Sequence, residues 1–412
     1  MPATVLLNGT LIDGTGHDPI TKAAVVVENG NITAAGAADT IQHPPDARVI
    51  ELDGRTIMPG LMDAHVHLGI VDLSVSAPNR DSLAVWAMKV KQNIEDTLDA
   101  GITTVRDAAG IDGGFAKAVE DGLLRGPRIL PSGGAISQTG GHGDWRPRFA
   151  DAPQTSIPGL VALPAICDSP DEVRRAVRQN LRLGATQIKV MASGGAMSPA
   201  DELEATQLTV EEIAAAVYEA QAAGKYVMAH VYTPSAIANA LAGGVRSIEH
   251  GNFLDEEQAA EMKKRGAFLV PTITTYDLID RFGAQYGIPE FNLGKIRLAR
   301  TGSFESVRIA MAAGVKIGSG SDLLAQMQPY KTMELPLKTQ VMSPMEAIVS
   351  ATRTNAELFR LEEKTGAVEP GKWADVIVVD GNPLEDINCL TDKNNVKLVL
   401  KQGAIHKDTL PP

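Results

Sequence analysis

The chain has 412 residues, of which 44% are hydrophobic and 21% are charged, fractions close to those of globular proteins. This composition excludes disorder as a description of the whole chain, and the formal net charge of −12 argues against nucleic acid as a partner. No apolar run reaches the roughly 18 residues that a membrane span requires. The length suits one large α/β barrel with a small additional domain.

Both ends of the chain are predicted to be short strands. The first fifty residues contain β-branched segments separated by turns such as Asn29-Gly30, and similar segments lie at residues 375–379 and 396–400. We therefore predict a small β-sandwich built from both termini, residues 1–56 plus 365–412. Residues 57–364 are predicted to form a separate catalytic domain.

The central region alternates strand-like and helical segments. The predicted strands are 61–67, 103–107, 128–132, 187–191, 226–230, 247–250, 268–272 and 316–319, and the predicted helices are 82–100, 115–124, 170–183, 210–223, 234–242, 256–265 and 304–313. This alternation indicates a parallel sheet and favours a (β/α)8 TIM-type barrel over an open doubly wound sheet. Residues 138–163 are predicted to be a functional loop, and residues 274–292 a loop that acts as a lid or an oligomer contact.

Polar side chains stand where the predicted barrel strands end. His65 and His67 are two residues apart on one strand, so both imidazoles face the same side and can reach one metal ion. Later strands end in or near four further polar residues: Lys189, His230, His250 and Asp322. Because the carboxyl ends of barrel strands form one active face, these side chains are expected to converge. Separately satisfied buried polar residues are the alternative.

These residues resemble those of the metal-dependent amidohydrolase superfamily, in its binuclear subtype with a carboxylated lysine. The resemblance covers nearly the whole chain and includes MPGLMDAHVH at residues 58–67 and GAVEPGKWAD at residues 366–375. It implies that the residues matching His65, His67 and Asp322 hold one divalent metal ion. Those matching His230 and His250 hold the other, and Lys189, carboxylated by carbon dioxide, bridges the two.

The lysine modification also has a physical argument. An ammonium facing two divalent cations would be repelled, whereas a carbamate is anionic and supplies two oxygen donors. A neutral Lys189 beside a single metal ion is the alternative. Four imidazoles favour Zn²⁺, although cobalt or manganese would bind the same ligands.

Two metal ions would lower the pKa of a bridging water and generate hydroxide at neutral pH. Asp322 would then take the water's proton and pass it to the leaving nitrogen, so Asp322 and Lys189 are the predicted catalytic residues. The expected reaction is hydrolysis of an amide, ester or lactam.

The predicted loops indicate the substrate class. His142 lies in a glycine-rich segment followed by Arg146 and Arg148, and Tyr232 is two residues beyond His230. Together they offer donors for an anionic group, although a structural histidine and a packed tyrosine would look the same. SQTGGHGD at residues 137–144 and AHVY at residues 229–232 resemble a narrower branch. It contains Xaa-Pro dipeptidase/carboxypeptidase-like enzymes and ochratoxin-degrading amidohydrolases, in which the residues matching His142 and Tyr232 are implicated in holding the substrate α-carboxylate.

Other readings stay open at this point. One alternative is an imidazolonepropionase-like cyclic amide hydrolase, because these enzymes share the fold and the metal ligands. Another is a mononuclear deaminase, which would need a catalytic glutamate. Glu249 is the candidate, but strand alternation predicts that its side chain faces away from the metal site. A non-catalytic scaffold would lack metal ligands that this chain retains.

Apolar pocket candidates near the strand ends are Met191, Met197, Phe253, Tyr276 and Leu323.

The expected partner is a small-molecule amide or peptide substrate, with no nucleic acid and no membrane, in a homo-oligomer. The start of the chain lacks a basic segment followed by an apolar one, so it is expected to be cytoplasmic as it stands. It would be secreted or periplasmic if a signal peptide had been removed.

Overall fold

The computed structural model describes residues 3–71, 82–146, 149, 163–198 and 201–411. The strands are β1 Thr4–Leu11, β2 Ile20–Glu28, β3 Asn31–Ala37, β4 Arg48–Glu51, β5 Thr56–Pro59, β6 Leu61–Val66, β7 Ile102–Asp107, β8 Arg128–Leu130, β9 Ile136–Ser137, β10 Ala165–Ile166, β11 Ile188–Met191, β12 Val227–Val231, β13 Ser247–His250, β14 Phe268–Val270, β15 Lys316–Ile317, β16 Val376–Val379, β17 Val396–Lys401 and β18 Ala404–Asp408. The α-helices are α1 Leu83–Asp99, α2 Gly113–Glu120, α3 Pro170–Arg182, α4 Val210–Ala222, α5 Pro234–Gly243, α6 Glu256–Arg265, α7 Ile273–Phe282, α8 Glu290–Ala313, α9 Glu334–Lys338, α10 Pro344–Ser350 and α11 Arg353–Leu358. Among these residues, no helix combines the length and apolarity needed to cross a membrane.

Strands from the two ends of the chain form one sheet. Its order is β18-β17-β16-β5-β1-β2-β3, and β4 pairs with β1, so the described strands make a single eight-stranded sheet. β5 joins the two ends because it runs parallel to β1 and antiparallel to β16. Leu6, Val25 and Val376 are fully buried in the apolar cluster of this sheet. The division into domains 1–56 plus 365–412 and 57–364 stays a prediction.

Parallel strands make up the central region, as predicted. β6-β7-β8 form a three-stranded sheet and β10-β9-β11-β12-β13-β14-β15 form a seven-stranded one. All eight strands predicted for this region are present, with ends that differ by a few residues, and the two-residue strands β9 and β10 are additional. The chain therefore has an α/β fold with parallel sheets.

Helices follow most of these strands, and local signals explain where they begin. Ser169 caps α3 by accepting from the backbone of Glu172, and Pro170 stands in the first turn, where its missing N–H costs nothing. Thr209 and Glu212 form a reciprocal capping box at the start of α4. The predicted starts at residues 170 and 210 match the structure, whereas the helix predicted over 304–313 is wrong at its start because α8 begins at Glu290.

The predicted loop over residues 274–292 is wrong, because α7 and the beginning of α8 occupy most of it. Asp277 on α7 is fully buried and forms ion pairs with Arg281 on the same helix and Arg300 on α8. The pair with Arg300 links the two helices. Most apolar side chains of α7 pack in a separate cluster, while Ile273 packs in the main core, so the helix does not show the pattern of one that covers a sheet.

Candidate active site

The polar residues that end the parallel strands meet, as the sequence predicted. Lys189 on β11 places its Nζ 3.3 Å from His65 Nε2 on β6. Asp322, which follows β15, places Oδ1 3.1 Å from His67 Nε2 and 3.5 Å from His65 Nε2. The His250 ring lies 5.0 Å from that of His65 and 4.5 Å from that of His230, between centroids. The structure thus brings all six predicted ligands together.

Two of the four imidazoles are fixed by backbone carbonyls. His67 Nδ1 lies 2.7 Å from the carbonyl oxygen of Ala109, and His230 Nε2 lies 3.2 Å from that of Gly194. A carbonyl oxygen can only accept, so each of these nitrogens carries the ring proton in the neutral imidazole. His67 Nε2 and His230 Nδ1 are therefore lone-pair donors.

The other two imidazoles are held by side chains. His65 Nδ1 lies 2.8 Å from Glu249 Oε2, and His250 Nδ1 lies 2.8 Å from Thr272 Oγ1. Every one of the four rings thus has one nitrogen bonded to the protein behind it and one left to bind a ligand. Metal-binding histidines are typically held in this way.

The charges of these groups also suit a metal site. Burial lowers the pKa values of His65, His230 and His250 well below the usual range, so these rings are neutral. Burial raises the pKa of Asp322, but the neighbouring His65 and His67 outweigh it and hold that pKa below its usual value. Burial lowers the pKa of Lys189 to about 8. Neutral imidazoles and an ionised carboxylate are the forms that ligate metal ions.

His67 differs from the other three rings, because its contact with Asp322 outweighs burial and raises its pKa. The donor set nevertheless fits a divalent metal ion. Ligand atoms of His65, His250 and Asp322 all lie within 4.8 Å of one another.

Three residues at this site have strained backbone. His250, Thr272 and Asp322 have φ values of 71°, 48° and 53°, in the left-handed region that non-glycine residues seldom adopt. Each such residue costs on the order of 1–3 kcal/mol and persists where the surrounding structure requires it. Here the strained backbone turns His250 and Asp322, two of the proposed metal ligands, toward the other proposed ligands.

The prediction that Glu249 faces away from the site is wrong. Its Oε1 accepts from Ser247 Oγ at 2.5 Å and from Arg106 Nη2 at 2.8 Å, and its Oε2 contacts His65. Strand alternation puts Ser247 and Glu249 on the inner side of β13. His250 also turns inward because its left-handed backbone ends the alternation, so neighbouring residues 249 and 250 reach the same site.

The two predicted substrate-binding rings lie against two of the proposed ligands. His142 stacks on His230 with centroids 4.2 Å apart and planes 19° apart. Tyr232 lies parallel to His250, with centroids 5.6 Å and planes 14° apart. His142 and Tyr232 therefore line the site next to the second pair of histidines.

A glycine and a serine hold His142 in place. A Cβ on Gly195 would lie 2.0 Å from His142 Nδ1, so only glycine permits this approach. The same nitrogen lies 2.9 Å from Ser198 Oγ, and Ser198 also donates to Asp201. Sequence reasoning did not select Ser198 or Asp201, since isolated polar residues of a loop carry no periodic signal.

Of the two arginines predicted to bind substrate, Arg146 lies within the described residues and Arg148 does not. Arg146 forms an ion pair with Asp144, with Nε 2.7 Å from Oδ1 and Nη2 2.5 Å from Oδ2. Arg148 lies outside the described residues. Their roles in substrate binding stay predictions.

Four of the five apolar pocket candidates pack together beside the site. Tyr276 and Leu323 are buried in one apolar cluster with Tyr232, and Met197 and Phe253 pack against it. Met191 belongs to a different small cluster, with Ala109 and Ala135.

Imidazoles, a lysine and a carboxylate thus meet at the ends of parallel strands in an α/β protein, and His65, His250 and Asp322 among them form a group that could hold a metal ion. A profile of the amidohydrolase family matches residues 56–405, and the chain belongs to that family. Members of this family are typically metal-dependent. Family membership together with the ochratoxinase and prolidase relatives described next makes the protein a hydrolase of amide bonds.

Three relatives are similar over nearly the whole of this chain. The ochratoxinase of Aspergillus niger is 33% identical over 98% of this chain and 86% of its own. Its crystal structure has a TM-score of 0.87 at 32% identity, covering 99% of this chain and 96% of that one. A prolidase solved with N-methylphosphonate-L-proline is 40% identical with a TM-score of 0.93, covering 98% and 100%. A Xaa-Pro dipeptidase solved with methionine in its active site is 32% identical with a TM-score of 0.89, covering 98% and 100%.

Proposed function

We propose that the protein hydrolyses the amide bond to a C-terminal amino acid, using two divalent metal ions, with Zn²⁺ favoured. The substrate class is a dipeptide, an N-acyl amino acid or an ochratoxin-like amide. One observation carries the proposal: four imidazoles are each held from behind and have their other nitrogen available beside Lys189 and Asp322. The names of the ochratoxinase and prolidase relatives support the choice of bond.

The proposed ligands divide into two sets. His65, His67 and Asp322 would hold the first metal ion, since the Asp322 carboxylate contacts both imidazoles. His230 and His250 would hold the second ion. Lys189 lies next to His65 and would bridge the two sets as a carbamate, formed when its uncharged amine adds to carbon dioxide and releases a proton. Bound there, the ions would polarise the scissile carbonyl and acidify a water molecule.

Asp322 is the proposed proton carrier. The contacts with His65 and His67 hold its Oδ1, and its Oδ2 lies 3.9 Å from His250 Nδ1. Its depressed pKa keeps the carboxylate ionised and ready to accept a proton. The proton taken from the attacking water would be passed to the leaving nitrogen, which departs as a neutral amine.

His142 and Tyr232 are the proposed binding residues for the substrate α-carboxylate, with Arg146 and Arg148 as further candidates. Tyr232 is the stronger donor of the first two. Ser198 uses its only proton on Asp201, so it must accept from His142 Nδ1, which leaves Nε2 without a proton in the neutral ring. His142 would donate to a carboxylate from Nε2 only when protonated.

We also infer that the two parallel sheets close into a (β/α)8 barrel. Two backbone hydrogen bonds of 2.8 Å support this closure. Ala64 N on β6 donates to the Ser319 carbonyl beyond β15, and Thr186 N before β11 donates to the Pro131 carbonyl beyond β8. Closure would bring the ends of all the strands around one site.

The geometry of Glu249 favours a hydrolase over a mononuclear deaminase. Both of its oxygens are engaged, one by Arg106 and Ser247 and the other by His65, and the side chain is fully buried. A carboxylate held in this way positions a ligand and is not available to transfer protons to a substrate.

Elemental analysis and a substrate screen test the proposal. We expect two metal ions per chain, and release of the C-terminal amino acid from N-acetyl-L-phenylalanine or an X-Pro dipeptide. The matching C-terminal amide should be a much poorer substrate. Equal rates on acid and amide would contradict carboxylate recognition and point to a cyclic amide substrate. Light scattering on the same preparation would test the expected homo-oligomer.

A further inference from the structure

We propose that Asp63 and Asp107, two buried carboxylates outside the proposed ligand set, are positioning residues for the first metal ion. They bond to the backbone beside its three ligands, His65, His67 and Asp322, and so hold these ligands in place before the ion arrives. The inference rests on the proposed function, in which the three residues bind that ion.

Asp63 joins the two chain segments that carry His65 and Asp322. Its Oδ1 accepts from the backbone N–H groups of His65 and Ser321, each at 3.0 Å. Its Oδ2 accepts from the Ser321 hydroxyl at 2.5 Å. The backbone N–H of Asp322 also donates to the His65 carbonyl at 2.7 Å. One ligand on β6 and another beyond β15 are thus tied together through a single carboxylate and one backbone bond.

Asp107, the last residue of β7, serves His67 in a similar way. Its Oδ2 accepts from the backbone N–H of Leu68 at 2.8 Å, and its Oδ1 accepts from that of Ala109 at 3.2 Å. Leu68 directly follows His67, and the Ala109 carbonyl is the group that holds His67 Nδ1. Asp107 therefore fixes the backbone of His67 and also the backbone behind its ring.

Both carboxylates bond where the backbone is strained. Asp322 has a φ of 53° and Ala109 a φ of 137°, values that non-glycine residues seldom adopt. Such conformations persist only where the surrounding structure holds them. Asp63 bonds to the residue immediately before Asp322, and Asp107 bonds to Ala109 itself. The two side chains thus stand where the backbone needs support.

These hydrogen bonds are shielded from water. Asp63 and Asp107 are buried, and so are the four residues whose backbone N–H groups they accept from. A buried N–H that loses its acceptor is costly, because water has little access to replace it. The ligand backbone is therefore confined to the position that satisfies all four groups.

The ligand atoms of the first set already have the spacing that zinc requires. Asp322 Oδ1 lies 3.1 Å from His67 Nε2 and 3.5 Å from His65 Nε2. A tetrahedral Zn²⁺ with bonds of about 2.0–2.1 Å places its ligand atoms about 3.3 Å apart. A set that is assembled in advance binds its ion without rearranging the backbone, which favours high affinity.

Zinc affinity, measured by competition with a chelator, tests the role of Asp107. In Asp107→Asn an NH₂ group replaces one accepting oxygen, so one of the two backbone bonds is lost whichever way the amide turns. We expect the affinity for zinc to fall by about ten- to a hundredfold. Asp375→Asn is the matched control, because Asp375 is also buried and pairs with Arg128 at the amino end of β8, away from the ligands. It should lose stability and keep the wild-type zinc affinity.

Two uncharged variants at position 63 separate hydrogen bonding from charge. In Asp63→Asn all three bonds can be kept, with Oδ1 accepting from both N–H groups and Nδ2 donating to the Ser321 hydroxyl. Asp63→Ala loses all three and should bind zinc about ten- to a hundredfold more weakly than Asp63→Asn. Equal zinc affinities in these two variants would overturn the role of Asp63. If Asp63→Ala does not fold, Asp107→Asn decides.

The outcomes separate the positioning role from the proposed function. Wild-type protein that binds no zinc would contradict the proposed function. Wild-type protein that binds zinc, together with equal affinities in Asp107→Asn and Asp375→Asn, would overturn the positioning role alone. Denaturant unfolding of each variant gives its stability, so a fall in zinc affinity larger than that of an equally destabilised Asp375→Asn is due to positioning.

Discussion

His65 and Glu249 form a fully buried contact in which imidazole Nδ1 lies 2.8 Å from carboxylate Oε2. Arg106 donates to the other oxygen of Glu249 and to the backbone carbonyl of Ala64. This arrangement links β6, β7 and β13 and fixes which nitrogen of His65 faces the site. A single buried carboxylate thus supports both the fold and a proposed metal ligand.

Replacing Glu249 should therefore affect stability and metal binding together. Glu249→Gln leaves Arg106 without its charged partner, and breaking a buried pair costs about 3–5 kcal/mol of unfolding free energy. Loss of the carboxylate behind His65 should also weaken metal affinity by about ten- to a hundredfold. Denaturant unfolding and competition with a chelator measure the two effects. Glu363→Gln, at an exposed position, is the control. If Glu249→Gln binds metal as tightly as Glu363→Gln does, the role of Glu249 is contradicted.

Asp322→Asn should separate metal binding from catalysis. An amide oxygen can still ligate a metal ion, but the side chain cannot carry a proton, so kcat should fall by about two to four orders of magnitude. Metal content, measured on the same sample, should stay close to that of the wild type. Near-normal turnover would remove Asp322 from the proton path.

Lys189→Ala should lose most activity, because the proposed bridge between the two sets of ligands disappears. Acetate or propionate, supplied with bicarbonate, should restore part of the activity by occupying the position of the carbamate. The measurement is kcat with and without the added acid, alongside the metal content. Full activity in the untreated variant is the result that the bridge does not allow.

Gly195→Ala should impair substrate binding through His142. The added Cβ would lie 2.0 Å from His142 Nδ1, so the imidazole must move away from its place on His230. We expect at least a tenfold loss in kcat/KM for the free acid substrate. Gly294→Ala is the matched control, because a Cβ at that position of α8 meets nothing within 4 Å. It should keep full activity and add about 0.5–1 kcal/mol of stability. Equal activity in the two variants would show that the placement of His142 is unimportant.

Much of the fold and the candidate ligand set could be predicted from the sequence. Hydrophobic strands that alternate with amphipathic helices gave the parallel order, and polar residues at the ends of apolar strands stand out against it. His65 and His67 needed only the two-residue period of a strand. The six proposed ligands were therefore accessible to local patterns together with one general rule about parallel strands.

The features that escaped prediction depend on backbone conformation and on contacts between distant segments. Glu249 was misjudged because His250 leaves the strand conformation, which no residue pattern announces. Ser198 and Thr272 each form a hydrogen bond with a histidine far away in the chain, His142 and His250 respectively. α7 escaped prediction because most of its apolar side chains pack in a separate cluster and not in the main core.

Only Gly60 separates β5 from β6, the strand that carries His65. The backbone N–H of Gly60 donates to the Asp375 carbonyl at 2.9 Å, and β5 pairs with β16 immediately beyond it. On the ribosome, β5 emerges early but waits for β16 until nearly all of the chain has been made. Such distant pairing slows folding, and an interrupted chain would expose β5 as a sheet edge open to aggregation.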